Sequence, residues 1–190
     1  RHQRVTICGL GITARPAVSY LEVARSPQEA TAMRAIVRWI AIGCLAVPLA
    51  ALAGHAFELP NKLALDASLW LMVQQQLYRG WGPVSAPFEI AALLACWTHA
   101  YLSRGQRFFP AAVVAALCLP AMLASFFLLN APVNAAFAQW TPASMPADWP
   151  AYRWRWELGH LISFLLAVAA LIALLRAAFV DREPHDARFR

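Results

Sequence analysis

Residues 158–180 read LGHLISFLLAVAALIALLRAAFV. Apart from Gly159, His160, Ser163 and Arg176, every position is apolar. The run meets the ~20 residues needed to cross ~30 Å of hydrocarbon. It is apolar on every face, whereas a helix at a soluble surface keeps a polar side. Three further runs approach the same length: Ile36–Ala56 (IVRWIAIGCLAVPLAALAGHA), Ala86–Leu102 and Phe108–Leu129. Pro48 and Pro120 lie inside two of them; a bundle tolerates such prolines where a neighbour satisfies the freed carbonyl. The turn signals that punctuate a transmembrane barrel are missing. The expected fold is therefore all-α, a four-helix transmembrane bundle.

Composition agrees. The chain of 190 residues is 61% hydrophobic and only 14% charged, with a mean hydropathy of +0.51. A soluble domain is usually about 45–50% apolar. The net charge of +6 does not indicate nucleic acid, because the basic residues stand singly beside apolar runs and no nucleic-acid-binding motif occurs. The partner that the composition implies is the lipid bilayer. Cys8, Cys44, Cys96 and Cys118 lack short paired spacing and read as small buried hydrophobes, not as disulfides or zinc ligands.

Around the four runs, residues 1–32 read as a cytoplasmic tail and the start of the first helix, 33–180 as the membrane domain, and 181–190 as a cytoplasmic tail. Ser26-Pro27 with Glu29 predicts a helix start: a serine cap, proline at the first helical position and an acid in the first turn. The Gly9/Gly11 pair is no nucleotide fingerprint, since no strand–turn–helix unit follows. Residues 61–80 (NKLALDASLWLMVQQQLYRG) are too polar for a lipid-exposed span. They suit an additional amphipathic helix, either interfacial or buried in the bundle. Twelve of the 16 basic residues fall on one side of this topology, which predicts both termini in the cytoplasm of a bacterial inner membrane. Lys62, Arg79, Arg153 and Arg155 fall on the outer side.

The same topology brings polar residues from all four spans to the outer helix ends: His55, Glu58, Asn61, Glu89, Asn130, Asn134, Glu157 and His160. His99 falls near the inner end. Ionisable groups at membrane depth are costly unless paired, so the outer set is the candidate site. His55/Glu58 and Glu157/His160 each sit three residues apart and can share a helical face. Two such pairs facing one another would suit iron, manganese or zinc, although the two run in opposite order and bundle di-metal sites supply more carboxylates. A metal-free site uses the residues differently. His160 would abstract an acidic proton, its basicity set by Glu157 or Glu58. Asn130, Asn134 or Arg153 would stabilise the oxyanion. Trp140, Trp154 or Trp156 would stack on a flat aromatic substrate beside His55. Membrane anchoring accounts for the tryptophans equally well. The sequence leaves metal and cofactor open.

Glu58-Leu59-Pro60 after the first span, Pro132-Val133-Asn134 with Trp140 after the third, and Arg153–Trp156 followed by His160 entering the fourth resemble the anthrone oxygenase-like (DUF1772) family of integral membrane proteins. The resemblance covers roughly residues 35–176. It implies four spans and, by the family's fungal-type members, oxidation of an anthrone to an anthraquinone without a classical redox cofactor. Glu58, Asn134, Trp140 and His160 hold the motif positions. The tail before residue 33 and the wide loop between Trp140 and Pro150 depart from the family pattern.

Two functions compete on this reading. One is a small membrane oxidoreductase acting on a flat lipophilic phenolic, anthrone or quinone-like molecule. The other is a non-catalytic subunit docking on membrane protein partners. Transport is disfavoured, because there is no internal repeat and few polar groups lie at mid-membrane.

Overall fold

The structure, a computed structural model, describes residues 26–182. Cys8, the Gly9/Gly11 pair and most of the two expected tails lie outside the described residues. Helix α1 spans Pro27–Ala64, α2 Ala67–Met72, α3 Trp81–Leu102, α4 Phe109–Ser125, α5 Ala131–Phe137 and α6 Trp149–Arg182. A π-helical turn, Val73–Leu77, extends α2, and a second, Phe126–Asn130, joins α4 to α5. The start of α1 is a reciprocal capping box. Ser26 Oγ accepts from the Glu29 amide at 3.2 Å, and Glu29 Oε2 accepts from the Ser26 amide at 2.8 Å, so two otherwise orphaned donors are satisfied.

The long helices α1, α3, α4 and α6 form a closed ring in that order, each packed on two neighbours. Alanine explains how closely they approach. Ala41, Ala92, Ala112, Ala115, Ala167 and Ala170 are completely buried. The large apolar side chains face outward instead: Phe179 is 67% exposed and Ile172 61%. Small residues inside and large ones outside is the arrangement expected where lipid is the solvent, since helices then gain by close backbone packing. Between α3 and α4 the chain reverses through Gly105, whose φ of +78° is open to glycine at no steric cost.

Three helical stretches are long and apolar enough to cross a membrane: Pro27–Ala64, the continuous Phe109–Phe137 and Trp149–Asp181. The sequence reading had four. Helix α3 has the length but is diluted by Glu89, Thr98 and His99 and by the Trp-Gly-Pro at its start. The expected helix between the first two spans is present as α2 and its π-turn. It is partly sunk into the fold, with Trp70, Leu71 and Gln74 buried. Cys44, Cys96 and Cys118 are free thiols.

Candidate functional site

The first span was expected to end near Ala56. Helix α1 instead continues through Pro60 to Ala64. Proline removes one donor near the helix end, and the carbonyls beyond it find a partner. Arg153 Nη1 donates to the Lys62 and Leu65 carbonyls at 3.4 and 3.0 Å. Because the helix persists, His55, Glu58 and Lys62 occupy one stripe at i, i+3 and i+7. Lys62 Nζ then lies 2.7 Å from Glu157 Oε2 and 3.4 Å from His55 Nδ1. The ion pair is almost sealed, with side-chain exposures of 4% and 2%. The rings of Trp156 and Tyr78 flank the ammonium at 5.1 and 5.6 Å and add cation–π attraction.

The two π-turns deliver two more polar groups. A π-turn widens the helix and re-aims its side chains. The one ending at Asn130 turns that side chain into the bundle, where it is 1% exposed. Asn130 Nδ2 donates to the Trp156 carbonyl at 2.8 Å and lies 2.5 Å from His160 Nδ1. The approach requires Gly159, because a Cβ there would collide with the Asn130 carboxamide. One turn further, Asn134 Oδ1 accepts from Trp156 Nε1 at 2.8 Å. The other π-turn leads into Tyr78, whose hydroxyl donates to Glu58. Burial first, and then the bonded Glu58 carboxylate, push the Tyr78 phenol above its ordinary range, so it remains a donor.

These elements gather aromatic rings around the two histidines. His55 meets His160 edge-on with centroids 4.3 Å apart. Trp156 lies 4.0 Å from His160, and Trp81 lies 5.3 Å from His55. Tyr78 stacks on Trp156. A cleft of about 100 Å³ opens beside them. Its polar lining is His55, His160, Asn130, Glu89, Ser85 and Ser163, and its apolar wall includes Leu52, Met122 and Phe126.

Of the residues singled out in the sequence, His55, Glu58, Asn130, Asn134, Trp156, Glu157 and His160 come together at this end of the bundle. Trp140 and Trp154 do not reach the cleft. Trp154 is 55% exposed, since a residue two positions from the inward Trp156 points some 200° around the helix. Trp140 packs edge-on against Tyr152 at 5.1 Å. Arg153 faces inward, yet its guanidinium is committed to the end of α1 and to the Trp149 ring and does not line the cleft. The carboxylate/imidazole pairs are not internally bonded: Glu157 holds Lys62, and Glu58 holds Tyr78. Among the described residues no three His, Cys, Asp or Glu side chains converge as metal ligands. An ammonium stands where the facing-pair metal site would need open carboxylates.

Lys62 and Tyr78 were missed as members of the cluster. Ending the first span near Ala56 made Lys62 an outer charge. Its seven-residue spacing from His55 was the available signal. Tyr78 carried none, because its position depends on the π-turn.

The assembled groups can hydrogen-bond and orient a small polar head inside an apolar wall. No protein-family model matches this chain, and neither a curated protein nor a solved structure matches it.

Proposed function

We propose that this chain is a small integral membrane oxidoreductase, oxygenase-like in its chemistry. Its substrate is a flat lipophilic phenolic, anthrone or quinone-like molecule presented edge-on to the cleft between His55 and His160. One observation carries the reading: two imidazoles 4.3 Å apart line an apolar-walled cleft together with the buried Asn130 carboxamide. Such a combination of apolar wall and a few convergent polar groups suits a lipophilic ligand with one polar edge. For an anthrone-type methylene the balanced reaction with dioxygen gives the ketone and water. Both C–H bonds are lost, one oxygen atom enters the carbon and the other leaves as water. The resemblance to the anthrone oxygenase-like family points to the same chemistry. The reading includes α3 as a fourth span, both termini in the cytoplasm and the cleft near the non-cytoplasmic face of a bacterial inner membrane.

The test uses the full chain in detergent with anthrone and dissolved oxygen, following oxygen uptake and the absorbance of the anthraquinone. Wild-type protein turns over, and His160→Ala and His55→Ala each lose at least tenfold. Undiminished turnover in both variants would sink the assignment. The small cleft favours a second reading, a non-catalytic membrane subunit. At about 100 Å³ it lies well below the ~300 Å³ at which enclosed ligand pockets begin, and the main charges are already paired. Absence of turnover together with stoichiometric co-purification of one membrane partner would favour that reading.

A further inference from the structure

The two histidines are held in a defined tautomer by N–H donors that face Nδ1 of each ring. The Trp156 backbone carbonyl can only accept, so the Asn130 atom 2.8 Å from it is the amide nitrogen, and the flip of the carboxamide is settled by chemistry. Its second hydrogen meets His160 Nδ1 at 2.5 Å. A proton on Nδ1 would set two donors against each other there. The Trp156 carbonyl also lies 3.0 Å from Nδ1, but its two lone pairs already accept from Asn130 Nδ2 and, along helix α6, from the His160 amide, so Nδ1 is the bare acceptor and the ring carries its proton on Nε2. Lys62 acts likewise on His55. Ion-paired to Glu157 at 2.7 Å, it is an ammonium with donors only, and it lies 3.4 Å from His55 Nδ1. His55 therefore also carries its proton on Nε2. Neither Nε2 has a protein partner among the described residues and neither is sealed from solvent. Both rings line the same cleft.

We infer that His55 and His160 act as a pair of N–H donors that hold a carbonyl oxygen of a neutral, lipophilic aromatic ketone or quinone. Lys62 and Asn130 are positioning residues that set the tautomers. This rests on the reading of the cleft as a substrate site, and it replaces the role of base expected for His160 in the sequence. A ring nitrogen that already bears a proton and opens on the cleft gives a hydrogen bond; it does not accept one. The ligand is neutral because the site has no spare cation, the Lys62 charge being balanced by Glu157, and an unpaired anion in an apolar cleft is costly. The cleft admits a ring edge and not a whole tricyclic molecule. The same two donors would stabilise charge developing on that oxygen during oxidation.

The experiment measures binding to the full chain in detergent by quenching of tryptophan fluorescence, since Trp81 and Trp156 adjoin the histidines. The probes are anthrone, anthracene, which lacks the carbonyl, and anthracene-9-carboxylate, which is anionic. Anthrone binds at least tenfold more tightly than either of the others. His55→Leu and His160→Leu each weaken anthrone by about tenfold, the worth of one buried hydrogen bond. His55→Gln and His160→Gln, which keep an N–H near the position of Nε2, hold it within about threefold of wild type. Ring 15N chemical shifts report Nε2 protonated in both histidines. Equal binding of anthrone and anthracene, or shifts showing Nδ1 protonated, overturns the donor pair while leaving a substrate cleft in place. Failure of all three probes to bind removes the cleft as a substrate site, and the donor pair with it.

Discussion

The two ends of the bundle are built from similar parts. At one end Lys62 and Glu157 pair beside His55 and His160. At the other, Arg38 Nη1 pairs with Asp181 Oδ2 at 3.0 Å, and His99 stacks on Phe108 beneath the Arg38 guanidinium. Both ends thus bury a charge pair against aromatic rings with a histidine nearby. They differ in what reaches the imidazoles. His55 and His160 are each met on Nδ1 by a donor, and their other nitrogen opens on a cleft. His99 is completely buried, and neither ring nitrogen makes a hydrogen bond of normal geometry among the described residues. The cavity at that end, about 200 Å³, is lined by Trp97, Tyr101, Arg104 and Phe109 and does not touch His99. A buried pair and a histidine tie helices together at either end. Only an oriented imidazole with access can also handle a ligand.

That contrast can be broken most directly at the ion pairs. Lys62→Met strands the Glu157 carboxylate and lowers stability by about 3–5 kcal/mol. Arg38→Met costs about 1–3 kcal/mol, because Asp181 retains 12% side-chain exposure and is partly hydrated. Thermal or denaturant unfolding in detergent measures both. The double variant Lys62→Met/Glu157→Leu recovers most of the loss, since a packed apolar pair replaces a desolvated ionic one. A double variant as damaged as the sum of its singles would mean that the two charges are not coupled.

A second prediction sharpens the contrast in packing. Gly159→Ala drives a Cβ into the Asn130 carboxamide and costs about 1–3 kcal/mol. It also moves Asn130 off His160, so the ring nitrogen shifts change. Gly43→Ala, with nothing within 4 Å of the new Cβ, is neutral or gains about 0.5–1 kcal/mol of helix propensity. Equal melting temperatures for the two variants would show that the approach at Gly159 is looser than the structure has it.

The smallest effect is expected at the sealed histidine. His99→Leu exchanges a buried imidazole that makes no hydrogen bond among the described residues for an apolar side chain. Stability then stays constant or rises by less than about 1 kcal/mol, and anthrone quenching is unchanged. A loss above about 2 kcal/mol would show that His99 is satisfied by a group not in contact with it here, and the two ends would then be more alike than they look.

Several features were legible in the residues alone. Lipid as solvent follows from runs that are apolar on all faces, and the start of α1 follows from Ser26, Pro27 and Glu29, because both signals are local. That polar groups would sit near the ends of the apolar runs also follows from local sequence, since hydrocarbon excludes unpaired charge from the middle. Which of them touch does not follow. Lys62 reaches Glu157 only because α1 survives Pro60, and its exposed carbonyls there accept hydrogen bonds from Arg153, about 90 positions later. Tyr78 and Asn130 reach the cluster through π-turns whose extra residue leaves no mark in the pattern. The inward turn of Trp156 and the outward turn of Trp154 depend on the phase of α6 against its neighbours. Local sequence sets solvent and helix, because those depend on residues a few positions apart. Tautomer, pairing and access were decided by the tertiary structure, because each depends on a partner supplied by another helix.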